Sequence, residues 1–87
     1  IGAIVSRGGR TDLAGTEVEN VRAATLLIAG GLDYMVIRWN RETYDRLLCE
    51  KRISVIDGAS HLFEEPGKLE EVADLAASWF KLHLDPP

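Results

Sequence analysis

With 87 residues, 46% of them hydrophobic and 28% charged, the chain has the composition of one soluble globular domain near the lower size limit for a self-sufficient core, which excludes a disordered polypeptide. A formal net charge of −4 leaves no basic footprint for nucleic acid, and no apolar run is long enough to span a bilayer. Cys49 is the only cysteine, so no disulfide can form within the chain and a reducing, cytoplasmic setting is expected.

Ala3-Ile4-Val5-Ser6 is a short apolar run stopped by Gly8-Gly9 and reads as a buried strand. Residues 1–10 do not read as a secretory leader, and a start at Ile1 directly before a strand pattern reads as a cut through something longer. Residues 8–15 have loop chemistry. Thr16 is expected to cap a single helical turn over 16–20, with Glu19 at the capping-box spacing. Residues 24–29 are almost continuously apolar, the pattern of a parallel strand covered on both faces.

Asn40 is expected to cap a helix over 41–50, where Tyr44, Leu47 and Leu48 form a one-sided stripe and Cys49 closes the end. Residues 52–56 read as a third strand. Pro66-Gly67 then leads into the strongest helical pattern, 67–83, with Leu69, Val72, Ala73, Ala76, Trp79, Phe80 and His83 at spacings of three and four. Glutamates crowd its first turn, where the helix dipole favours them.

Strands alternating with helices imply a three-stranded parallel sheet with helices on both faces. Function in such open sheets gathers at the turns beyond the carboxyl ends of the strands. Two turns of that kind each deliver one reactive side chain: Asp33 after LLIAGG, and His61 after ISVIDGAS. A carboxylate that holds an imidazole, which in turn takes a proton from a nucleophile, is the logic of a hydrolase triad. The bland alternatives are an Asp33 that bonds its own turn backbone and a His61 that packs against Phe63.

The segments LLIAGGLD, NRETYDRL and ISVIDGASHLFEEPGKLEEVADLAASWFKLHL resemble the carboxyl-terminal part of an α/β hydrolase. The likeness is greatest to the dienelactone-hydrolase-like branch, some of whose members are described together with phosphoribosyltransferases. The opening AIVSRGGRTDLAG resembles the strand and loop that follow the nucleophile region of those proteins. The resemblance implies that Asp33 is the triad acid, that His61 is the base, and that the three strands are the last three of the hydrolase sheet. It implies ester or lactone hydrolysis for the parent protein.

The nucleophile is the gap. That family carries it in a G-x-S-x-G elbow on an earlier strand. Ile4-Val5-Ser6-Arg7-Gly8 imitates the elbow with Ile4 in place of its first glycine, and residues 8–15 do not read as the helix an elbow should start. The residues favour an ordinary strand-end serine at Ser6 over a nucleophile. The chain is therefore read as a single truncated domain, 1–87, inactive alone, or else as a non-catalytic interaction module that keeps the fold. A homodimer covering the exposed edge of the first strand is expected. Neither a cofactor nor a metal is expected: His61 with Asp57, Glu64 and Glu65 makes no convincing ligand set, and Gly8-Gly9-Arg10 lacks the pattern of a phosphate loop.

Overall fold

The computed structural model describes residues 2–9 and 18–84. The run Ala24–Gly30 forms the central strand, β2, and every one of its residues is buried. Strand β1 (Ala3–Arg7) lies on one side of it and β3 (Lys51–Ile56) on the other, both parallel to it, in the order β1-β2-β3. Alternation along β2 divides the core in two. Ala24, Leu26 and Ile28 pack with Ile56, Ala59, Phe63, Val72 and Trp79, beneath helix α2 (Lys68–Leu84). Leu27 faces the other way, into a smaller cluster with Val18 and Leu47 beside helix α1 (Tyr34–Arg46). The parallel sheet with a helix on each face follows directly from that division. Leu26, Leu27 and Ile28 are at most 2% exposed, and each contributes about 1.5–3 kcal/mol through its burial.

The second connection departs from the sequence expectation. Instead of a helix over 41–50 capped by Asn40, α1 runs from Tyr34 to Arg46 and Asp33 occupies its cap position. Asn40 lies inside the helix and is fully buried. Its Nδ2 donates to the Val36 carbonyl at 2.7 Å and to the Gly9 carbonyl at 3.1 Å, which ties the helix to the segment leaving β1. A residue type favoured at caps is here a tertiary staple, and its polarity marks no boundary of the helix.

The helix ends at Arg46 because Leu47 turns extended, at ψ 132°. Lys51 then donates from Nζ to the carbonyls of Tyr44 (2.6 Å) and Leu47 (3.0 Å), as cations do at the negative end of a helix. Cys49 therefore sits between α1 and β3 and not in a helix. It is half-buried against the smaller cluster, its Sγ 3.8 Å from Thr25 Oγ1, and packs as a small hydrophobe.

In α2 the buried line is Val72 and Trp79, with Leu75 packed beside them, whereas Leu69 (47% exposed) and Phe80 (37%) face outward. The expected stripe is thus narrower than its apolar spacing suggested. The indole sets the rotation by donating from Nε1 to the Ala24 carbonyl at 3.1 Å, since a buried Trp N–H needs an acceptor. His83 leans on that ring, centroids 4.1 Å apart, with Nε2 3.5 Å from Glu50 Oε2. Val18–Asn20 make one 3₁₀ turn; Thr16, its expected cap, lies outside the described residues, as does Arg10. No helix among the described residues is long and apolar enough to cross a membrane.

Candidate active site

The turns that leave β2 and β3 are locked to each other by main-chain bonds. The N–H of Gly31 donates to the Ile56 carbonyl at 2.7 Å, and that of Leu32 to the Ala59 carbonyl at 2.9 Å. Such closeness requires Gly30, because a side chain there would collide with the carbonyls of Ala59 and Ser60. Within the second turn, Ala59 N–H returns to the Ile56 carbonyl (3.2 Å) and Phe63 N–H to the Ser60 carbonyl (3.1 Å). Phe63 is held at φ 57° and is only 1% exposed. A non-glycine residue in that region costs about 1–3 kcal/mol, offset here by burial of the ring.

The consequence is a contact across 28 residues of chain: His61 Nδ1 lies 2.7 Å from Asp33 Oδ2. The imidazole also rests against the backbone of Gly8, just beyond β1; a Cβ added there would stand 3.4 Å from both Nδ1 and Cε1. Asp33 is sheltered, with its side chain 19% exposed, while that of His61 is 54% exposed. Because an ionised carboxylate can only accept, Nδ1 must carry the proton of this bond. In the neutral imidazole Nε2 is then left as the acceptor. The arrangement can receive a proton at Nε2 and hold the resulting positive charge against Asp33.

Asp33 does this at the expense of a local alternative. Its carbonyl accepts the Ile37 N–H at 3.0 Å, but its side chain makes no cap hydrogen bond to α1. A free Asp at this position ordinarily caps, to a benefit of about 0.5–2 kcal/mol. The carboxylate is directed to His61 instead.

Glu65, weighed in the sequence only as a metal ligand beside His61, has a different place in the site. Its Oε1 accepts the Ser60 N–H at 2.9 Å, and this bond, ahead of its own backbone amide and the nearby Lys68, holds the carboxyl below its ordinary value of 4.5. In sequence, Glu65 is one of several acidic residues before α2, and nothing in that run distinguishes it. Ser6, by contrast, lies within β1 opposite Leu27. Its Oγ would stand 2.7 Å from a Cβ added at Gly9, and the Nδ1 bond of His61 goes to Asp33. Met35 is 52% exposed at the start of α1, and Trp39 is half-buried within it. No three potential metal ligands converge among the described residues.

The three-stranded parallel sheet with its two helices matches the α/β-hydrolase fold, and the chain is dienelactone-hydrolase-like in both sequence and fold. The crystal structure of dienelactone hydrolase from Anabaena variabilis superposes with a TM-score of 0.95 at 51% identity, over 97% of this chain and 39% of that one. Two proteins of Mycobacterium tuberculosis, from strains CDC 1551 / Oshkosh and ATCC 25618 / H37Rv, are each 51% identical over 85 residues. Both are described as a putative phosphoribosyl transferase. The match spans 98% of this chain and 19% of each of theirs. No family model matches the chain.

Proposed function

We propose that this chain supplies the acid and the histidine of a hydrolase site of the dienelactone hydrolase kind, acting on an ester or lactone carbonyl. Asp33 is the acid and His61 the base. The observation that carries the reading is the 2.7 Å bond between His61 Nδ1 and Asp33 Oδ2, made by a carboxylate that forgoes capping its own helix. In the reaction, Nε2 of His61 takes the proton of a nucleophile as that group attacks the carbonyl carbon. Asp33 steadies the imidazolium, which then gives the proton to the departing alkoxide. Water attacks the acyl intermediate by the same route in reverse.

The nucleophile comes from outside these 87 residues in this account, from adjoining sequence or another chain, because Ser6 sits inside a strand and not on an elbow beyond one. The chain alone is then without efficient hydrolase activity. A fluorophosphonate probe tests this: the account predicts no stoichiometric adduct on the purified 87-residue chain. An adduct that disappears in Ser6→Ala would overturn it.

The second reading, a non-catalytic interaction module, draws on the outer edges of β1 and β3, which no other strand pairs among the described residues. Under either reading the isolated chain is a homodimer, in which a second copy covers the β1 edge.

A further inference from the structure

The segment that carries His61 begins and ends in glycine turns, at Gly58 (φ 73°) and Gly67 (φ 82°). Beyond Ala59, whose carbonyl accepts the Leu32 N–H, the main-chain bonds of this segment among the described residues are local, from Phe63 N–H to the Ser60 carbonyl and from Lys68 N–H to the Glu65 carbonyl. The imidazole itself is more than half exposed, so packing alone does not fix it. One contact closes the segment across its mouth: the Glu65 carboxylate on the amide of Ser60, the residue immediately before His61, at 2.9 Å.

We propose that Glu65 is a positioning residue for His61, fixing through the Ser60 N–H the turn that aims the imidazole at Asp33. The geometry explains why this acceptor acts on His61 in particular. Ser60 is held at both of its main-chain polar groups, its N–H by Glu65 and its carbonyl by the N–H of Phe63. The same carbonyl lies over Gly30, in the turn that presents Asp33. Rotating the 60–61 backbone therefore moves the ring away from the carboxylate that it must meet. Burial of Phe63 anchors the far side of the turn, and Glu65 anchors the near side. A charge-assisted bond to a backbone N–H is among the stronger hydrogen bonds available to such a loop.

This role rests on the acid-and-histidine reading for its catalytic meaning, but its test needs no turnover. Two-bond proton–nitrogen spectra of the His61 ring, recorded on the full chain at a pH where the imidazole is neutral, report the fraction protonated at Nδ1. In Glu65→Ala the preference for that tautomer is expected to fall about fivefold, the scale of one ordinary hydrogen bond. Glu65→Gln, whose amide oxygen can accept the same N–H, is expected to restore most of it. Where Glu65→Ala fails to fold, Glu65→Met, matched in length and without an acceptor, takes its place. An unchanged tautomer in folded Glu65→Ala or Glu65→Met overturns the positioning role. A wild-type ring without Nδ1 preference overturns the Asp33 pairing along with it, whereas the claim that the nucleophile comes from outside these residues fails separately, on a Ser6-dependent adduct.

Discussion

Asp33 and Gly30 divide a task that neither residue type performs alone. Gly30 lets the carbonyls of Ala59 and Ser60 come down onto the turn after β2, and Asp33, three residues later, meets the ring that they carry. In Gly30→Ala the new methyl group meets two backbone carbonyls, which cannot rotate away as a flexible side chain would. The variant is expected to lose about 1–3 kcal/mol of stability, the usual cost of overpacking, and this can be checked by urea denaturation. A variant of wild-type stability would mean that the two turns are not locked at Gly30. Asp33 and His61 were legible in the sequence because each follows an apolar strand pattern and a small-residue turn. Glu65 and Gly30 were not, since their roles exist only when two turns distant in sequence lie against each other.

The elements themselves were unequally legible. Strand β2 announced itself through six continuous apolar or small residues, and its burial on both faces is what such a run demands. Helix α1 did not, because Tyr34, Val36, Ile37 and Trp39 are poor helix formers and the buried Asn40 resembles a cap. That helix is held by tertiary contacts: the Asn40 staple to Gly9, the ion pair from Arg46 Nε to Glu19 at 2.7 Å, and the Lys51 ammonium on its final carbonyls. Lys51 also stands 4.4 Å from the centroid of the Tyr44 ring. Replacing it in Lys51→Met keeps the aliphatic stem but strips the carbonyls of Tyr44 and Leu47 of their donor. A loss of about 1–2 kcal/mol is expected, on the scale of hydrogen bonds from charged groups, measurable by thermal denaturation. A neutral substitution would show that water satisfies those carbonyls equally well.

At the scale of the whole molecule, three parallel strands are few, and both outer strands leave one edge unpaired within the described residues. In β1, Ile4 is 41% exposed, so the open edge carries apolar surface as well as free main-chain groups. An edge of that kind recruits another strand. Sedimentation of the purified chain at micromolar concentration is expected to give a dimer; a well-folded monomer would remove the β1 edge as an interface. The chain's three strands are consecutive in the sheet, and its core lies between them and their own two helices.

The central claim is that Asp33 holds His61 in the orientation and tautomer of a general base. The ring-nitrogen spectrum of His61, compared between the wild-type chain and Asp33→Ala, tests it most directly. The account predicts a neutral imidazole protonated at Nδ1 in the wild type and a loss of that preference in Asp33→Ala. The same tautomer distribution in both proteins would contradict it.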